Sequence, residues 1–208
     1  NLREDFGVNV VGMWDRGHFD SPDPDAVLTN HTVLLLAGTK SNFSGYDEKF
    51  CHYETNNSPV IIIGAGRVGR ATASALEETK VPYRVVETDE VKASKVKDAI
   101  VGDAAERSVL ERAGINKAPA VVITSHSDET NIYLTIYCRK LRPDLQIIAR
   151  ANDERNISSL HRAGTDFVMS YASMGASAMA NMLKHSTTLI IAEGLELFRL
   201  PVPEALTG

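Results

Sequence analysis

The sequence predicts a doubly wound α/β fold built on a six-stranded parallel sheet. Three observations carry this. From Val60 onward, short apolar runs alternate with helical stretches six times. The first run, Val60–Ile63, is four β-branched residues in succession, the pattern of a strand buried on both faces. It leads straight into Gly64, Ala65, Gly66, Arg67, Val68 and Gly69, a G-x-G-x-x-G spacing that opens a helix.

In chain order, a separate unit comes first. Leu2–Phe6 reads as the end of a helix stopped by Gly7. Residues 8–14 read as a strand, Asp15-Arg16-Gly17-His18 as a turn, Ser21-Pro22-Asp23-Pro24-Asp25 as a loop, and residues 32–38 as a second strand. Two strands are too few for a domain, so residues 1–40 are expected to form a small α+β piece. Residues 41–58 are polar, with Phe43, Tyr46, Phe50 and Tyr53 three or four apart. That spacing predicts a short amphipathic linker helix, then the loop Asn56-Asn57-Ser58-Pro59.

The six strands of the main unit are predicted at Val60–Ile63, Tyr83–Glu87, Ala99–Val101 and residues 120–124, 146–149 and 166–169. The first helix starts near Arg67 with Val68, Ala71, Ala75 and Leu76 on one face. Residues 106–113 group Val109, Leu110 and Ala113 and stop at Gly114; residues 130–141 follow Asp128 as N-cap; residues 154–163 stop at Gly164. Alternating β and α implies a parallel sheet. Two halves of three strands predict the order 3-2-1-4-5-6, with a ligand at the switch between strands one and four. The helix over 172–184 is rich in small residues, among them Gly175, Ala176 and Ala180, and reads either as packing on its own sheet or as an intersubunit contact. Residues 187–192 are apolar, and residues 196–203 read as a further strand.

The glycines have separate tasks. Gly64 allows the turn out of the strand, Gly66 lets the backbone approach a pyrophosphate, and Gly69 lets the helix pack close to the sheet. The helix N-terminus supplies free N–H groups and a positive dipole end. Glu87 lies 18 residues after Gly69, at the end of the second strand, where a carboxylate accepts hydrogen bonds from ribose hydroxyls and repels a 2′-phosphate. Its competing reading is a strand-end acid in the polar turn Glu87-Thr88-Asp89-Glu90.

Composition narrows the function. The chain has 208 residues, 43% hydrophobic and 24% charged, which is ordinary globular content. A net charge of −5 and 6% aromatics leave no basic or base-stacking footprint for nucleic acid. Cys51 and Cys138 lack C-x-x-C spacing and read as reduced thiols of a cytosolic protein. The six histidines show no H-x-x-x-H spacing, so no metal centre is expected. The apolar runs are too short to span a bilayer. The sequence opens in mid-pattern, without Met, and reads as a piece of a longer protein.

The motifs IIIGAGRVGRATASAL, VVETD, IVGDAAERSVLERAGI, AVVITSHSDETNIYLTIYCRKL, IIARANDE and AGTDFVMS follow one another between residues 60 and 185. In that order they resemble the regulator-of-potassium-conductance (RCK) domain, also called the KTN nucleotide-binding domain. Residues 2–40 resemble the C-terminal subdomain of a preceding RCK repeat, although Asn30-His31-Thr32 stands where that subdomain has a Gly-Asp turn. Residues 196–208 resemble the start of the next subdomain. The resemblance implies four units: 1–40, a partial C-subdomain; 41–58, a linker; 59–185, a Rossmann-type N-domain; and 186–208, a crossover and truncated C-subdomain.

Carried onto this sequence, the resemblance implies a nucleotide site. Gly64, Ala65, Gly66, Arg67, Val68 and Gly69 would hold phosphates, and Glu87, with Thr88 and Asp89, the ribose. Asp103 and Ala104 would lie at the adenine edge, and Thr124, Ser125 and His126 across the switch point. Asp128 and Asn131 begin the next helix, and Arg150 would reach phosphate. Local readings compete: Asp103 and Asp128 as helix caps, His126 as a loop histidine, Asn131 as solvent-facing, Arg150 as the partner of Asp153 or Glu154.

Three function classes follow: a regulatory module controlling potassium flux, a nicotinamide-dependent oxidoreductase, and a structural unit with a vestigial site. A dehydrogenase needs an acid or base beside the nicotinamide. Only His126 is placed for it, and no substrate domain follows Met169. The glycines and the ribose acid are intact, which favours the regulatory module. The resemblance implies NAD or NADH as ligand, or alternatively ADP or ATP, and not NADP. It also implies a homodimer within a larger ring, a membrane-embedded potassium channel or transporter as partner, and a place at the cytoplasmic face of the inner membrane.

Overall fold

The computed structural model describes residues 2–15, 18–29, 32–49, 58–184, 189–192 and 195–197. The N-terminal unit is α1 (Leu2–Phe6), β1 (Asn9–Asp15), β2 (His18–Asp20) and β3 (Val33–Ala37), followed by α2 (Lys40–Lys49). Its sheet is antiparallel, in the order β2-β1-β3. The expected two strands are therefore three. The chain pairs back on itself as a hairpin, Trp14 opposite Phe19, and Gly12 leaves room for the Phe19 ring. The start of α2 is held by Asn42, whose Nδ2 donates to the Phe6 carbonyl at 2.8 Å and whose Oδ1 accepts the Thr39 amide at 2.9 Å. Asn30, His31, Phe50, Cys51 and Tyr53 lie outside the described residues, so the departure from the Gly-Asp turn and the aromatic spacing of the linker do too.

The main unit is β4 (Val60–Ile63), α3 (Arg67–Glu78), β5 (Tyr83–Glu87), α4 (Glu90–Ala93), β6 (Ala99–Val101), α5 (Arg107–Ala113), β7 (Ala120–Ile123), α6 (Asp128–Leu141), β8 (Gln146–Ala151), α7 (Ile157–Ala163), β9 (Phe167–Ser170) and α8 (Tyr171–Lys184). All neighbouring strands are parallel, in the order β6-β5-β4-β7-β8-β9, which is the expected 3-2-1-4-5-6. Alternate residues of the apolar strands enter two cores. Ile61, Ile63, Val121, Ile123 and Ile147 pack with Leu110, Leu134, Cys138 and Leu160 of α5, α6 and α7. Ile62 and Val85 face the other way, onto Ala73 and Leu76 of α3. Cover on both sides is why the central strands β4 and β7 carry no polar residue.

Several boundaries move. The buried face of α3 holds Gly69 and Ala73, with Leu76 beside them, while Ala71 and Ala75 are exposed. The close approach at Gly69 fixes the helix rotation, and the apolar count alone misplaced it. Helix α6 begins at Asp128, and its cap is Ser127, whose side chain accepts the Thr130 amide. Residues 154–163 split into a single 3-10 turn, Glu154–Asn156, capped by Asp153, and then α7. β8 runs on to Ala151, and β9 is shifted by one residue to Phe167–Ser170. β10 (Leu189–Ala192) and β11 (Leu195–Leu197) pair as an antiparallel hairpin, and the remainder of the strand expected over 196–203 lies outside the described residues. Among the described residues no helix is long and apolar enough to cross a membrane.

Candidate functional site

A parallel sheet collects the loops that follow its strands at one edge, and here that edge holds a cleft of about 210 Å³. Its walls come from Gly64 and Gly66 after β4, Glu87 and Thr88 after β5, Asp103 and Ala104 after β6, and Thr124, Ser125 and His126 after β7. Nine of the seventeen sequence-derived site residues thus meet around one space.

The glycine loop is geometrically committed. Gly64 has φ +103°, a conformation that side chains other than hydrogen rarely adopt, and a Cβ there would come 3.0 Å from Thr124 Oγ1. A Cβ on Gly69 would overlap the Gly64 carbonyl oxygen. Thr124 Oγ1 donates to the Ile63 carbonyl at 2.9 Å, tying β7 to the root of the loop. The N-cap of α3 is Gly66, which offers no capping side chain, so the first-turn amides are left for a partner outside the helix. Arg67 is exposed at that end.

Glu87 faces this loop. Its Oε2 accepts the Ala65 amide at 2.6 Å, and Oε1 accepts the amides of Thr88 and Asp89 at 2.9 and 3.1 Å. Burial pushes the carboxyl up, but the Ala65 and Asp89 amides and the Thr88 hydroxyl outweigh it and hold it below the usual glutamate range. Oε2 has one donor and so keeps a lone pair.

Three sequence-derived residues, Asp89, Asp128 and Asn131, stand elsewhere, and Asp103 has a different local role from the one expected. Asp89 is the N-cap of α4, accepting the amides of Val91 and Lys92, a role the reading of 87–90 as a polar turn overlooked. Asp128 is 5% exposed, and its carboxylate takes four donors: the amides of Asn152 and Asp153 and the side chains of Asn152 and Asn156. It is neither the cap nor a cleft residue, because the loop after β8 has claimed it. Asn131 is fully buried, not solvent-facing: its Nδ2 donates to the Arg150 carbonyl at 2.8 Å and its Oδ1 accepts the Ser125 hydroxyl at 2.7 Å. Asn131 thereby braces the cleft loop at Ser125, and Asp128 the loop after β8. Asp103 caps no helix; its Oδ1 accepts the Ala105 amide at 2.8 Å in a local turn.

Val68 and Arg150 line a neighbouring cavity of about 90 Å³, together with Thr72, Met169 and Tyr171. Arg150 pairs with neither Asp153 nor Glu154. Its Nη1 is 3.4 Å from His126 Nδ1, and its guanidinium carbon is 5.4 Å from the Tyr171 ring centre. The sequence reading missed Lys92 and Thr130, both of which line the cleft, and Arg70, whose Nη1 donates to the Ala65 carbonyl at 3.0 Å. The signal for Lys92 was the capping pattern at Asp89, which starts a helix and turns the third residue back toward β5.

Residues 60–171 match the family model described as the TrkA-N domain. Potassium channel protein 1 of Methanocaldococcus jannaschii is 32% identical over 116 residues, which cover 53% of this chain and 35% of that protein. A putative K(+) efflux antiporter KefB of Alkalimonas amylolytica is 35% identical over 115 residues, 53% of this chain and 17% of that protein. Among solved structures, the GsuK RCK domain is similar with a TM-score of 0.66 and 38% identity, covering 88% of this chain and 40% of its own. The GsuK channel bound to NAD has a TM-score of 0.62 and 33% identity, with 91% and 37% covered. GsuK bound to ADP has a TM-score of 0.57 and 40% identity, with 63% and 35% covered. The chain spans about a third of the length of the channel proteins it matches.

Proposed function

The chain belongs to the TrkA-N (RCK) domain family, and from that premise we propose that residues 59–185 form a regulatory module that binds an adenine nucleotide and, in a larger protein, biases the gating of a potassium channel. The observation that carries this reading is the Glu87–Ala65 contact at 2.6 Å, which sets a ribose-binding acid against a glycine loop at an uncapped helix start. Gly64, Ala65, Gly66, Arg67, Val68 and Gly69 take the phosphates, Glu87 and Thr88 the ribose, Asp103 and Ala104 the adenine edge. Thr124, Ser125, His126 and Arg150 close the phosphate side. NAD, NADH, ADP and ATP fit this chemistry. A 2′-phosphate beside the ionised Glu87 does not, so NADP is excluded by repulsion. The NAD-bound and ADP-bound GsuK structures support the ligand class.

The match to a family of regulatory domains supports action by binding and not by turnover. It works as a homodimer at the cytoplasmic face of the membrane, with residues 1–40, joined to it by the linker 41–58, and residues 186–208 as parts of flanking C-subdomains. The similarity to KefB supports a second reading, a regulator of potassium efflux or uptake through a transporter.

Titration calorimetry with NAD, NADH, ADP, ATP and NADP tests the ligand. Binding of an adenine nucleotide without a 2′-phosphate is expected. No binding by any of them, or tightest binding by NADP, sinks the proposal. Incubation with NADH and common carbonyl acceptors is expected to leave the reduced-nicotinamide absorbance unchanged; a steady loss that requires His126 would favour an oxidoreductase.

A further inference from the structure

Arg150 stands between the cleft and α8 without a committed partner. β8 carries it to the C-terminal edge of the sheet. On one side its Nη1 lies 3.4 Å from His126 Nδ1, and His126 in turn covers the glycine loop, its Nε2 3.5 Å from where a Cβ on Gly66 would sit. On the other side the guanidinium lies 5.4 Å from the ring centre of Tyr171, the first residue of α8. Its Nε is buried and has no hydrogen-bond partner, and no carboxylate stands within ion-pair distance of Arg150 among the described residues. Tyr171 is 56% exposed. A cation over a half-exposed ring is held weakly, whereas a charge-assisted, two-pronged bond to a phosphate is the strongest contact a guanidinium makes. The cavity of about 90 Å³ that Arg150 shares with Val68 and Thr72 gives it room to swing toward the first turn of α3.

We propose that Tyr171 and a phosphate-bearing ligand compete for Arg150, so that filling the cleft releases the root of α8. This rests on the nucleotide reading above. When the cleft is empty, Arg150 stays on the ring and pins the first turn of α8 to the end of β8. When phosphate arrives, the guanidinium leaves the ring and α8 loses that tether. Linkage makes the effect reciprocal: whatever the ring gains from Arg150 is subtracted from ligand affinity. Tyr171 is thus a residue that weakens binding, which a purely structural residue at that position would not do.

Calorimetry with NAD and with ADP on five proteins tests this: the unaltered chain, Tyr171→Leu, Tyr171→Phe, Arg150→Gln, and the double variant Arg150→Gln/Tyr171→Leu. Tyr171→Leu is expected to tighten nucleotide binding about two- to five-fold, the scale of an exposed cation–π contact. Tyr171→Phe keeps the ring face and is expected to match the unaltered chain. In the Arg150→Gln background, Tyr171→Leu is expected to change nothing. Hydrogen exchange in the first turn of α8 is expected to rise on nucleotide addition in the unaltered chain and in Tyr171→Phe alone. Unchanged or weaker binding by Tyr171→Leu, or the same gain without Arg150, overturns the competition while leaving the nucleotide site standing. Failure of the unaltered chain to bind either nucleotide overturns both.

Discussion

The Ala65 amide donates to Glu87 Oε2 at 2.6 Å, joining the loop after β4 to the end of β5. One carboxylate therefore shapes the glycine loop and, in the proposed reading, presents an acceptor to a ribose. The two roles separate by substitution. Glu87→Ala is expected to weaken NAD binding by roughly 1–3 kcal/mol, the cost of leaving ribose hydroxyls and a loop amide unpaired. Glu87→Gln retains an acceptor but not the charge, so the preference for NAD over NADP should narrow. Calorimetric titration of both variants with both dinucleotides reads the two effects apart.

Gly69 tests the packing beneath that loop. A Cβ at this position overlaps the Gly64 carbonyl, which is backbone and has little freedom to yield. Gly69→Ala is expected to destabilise the domain by about 1–3 kcal/mol, the usual cost of overpacking, and to displace α3 from β4. Urea denaturation measures the first, and loss of nucleotide binding in the still-folded variant reports the second. Stability and binding equal to the unaltered chain would remove the close approach from the account.

Asp128 makes stability depend on pH. Burial pushes its carboxyl up, but donors from Asn156, Asn152 and Asp153 outweigh that and lower it below the ordinary 3.8. A group lowered in the folded state contributes stability that is present in full above its unfolded value. That contribution is lost as pH falls through the lower, folded value. Thermal melting from pH 7 down to about 2 is expected to show this loss starting near pH 4. Asp128→Asn should be less stable at pH 7 and show a flatter decline. Parallel curves for the two proteins would mean that the four contacts do not hold the carboxylate.

The architecture was legible because it rests on backbone demands. The run Val60–Ile63 has no place except between two layers, and Gly64 and Gly69 answer a turn and a close approach that few other residues permit. The Glu87 position was legible for the same reason, since strand length and helix length fix where β5 ends. What the sequence hid depends on side chains reaching across the fold. Asp128 and Asn131 sit on the first turn of α6, where a carboxylate and an amide look like a cap or a ligand contact. The residues that claim them, at the end of β8 and in the loop and turn after it, lie 19 to 28 residues away, at Arg150, Asn152, Asp153 and Asn156. Local spacing holds no record of that distance. The β1–β2 hairpin was hidden by its shortness, three residue pairs.

Cys138 is expected to be inert. It is fully buried between α6 and the sheet, and burial pushes its thiol up to about 12. At pH 8 almost none of it is thiolate, and only the thiolate reacts. In a Cys51→Ser background, Cys138 should resist a thiol-specific chromogenic reagent in the native protein and react fully in denaturant. Prompt labelling of the native chain would show that this side of the core opens.

Assembly is the remaining expectation, and α8 carries it. The helix leaves β9 and exposes Met174 at 40%, Met179 at 67% and Leu183 at 82%, an apolar surface that a lone domain would have to leave in water. A Cβ on Gly175 would meet nothing within 4 Å, so this stretch of α8 has open space where a second backbone can approach. Small residues on the same helix, Ala176 and Ala180, permit that approach at short distance. A homodimer through α8 is the assembly expected to cover the methionines and leucine. It also gives a nucleotide-dependent change at the root of the helix somewhere to act, because the ligand then favours one dimer geometry by its differential affinity. Light scattering at micromolar concentration is expected to give twice the 22.7 kDa mass of the chain. Ala176→Arg or Ala180→Arg places a charge in the contact and should return the monomer without lowering the melting temperature by more than a surface change does. A mass of one chain across the concentration range, or a dimer indifferent to both substitutions, would place the contact off this helix or remove it.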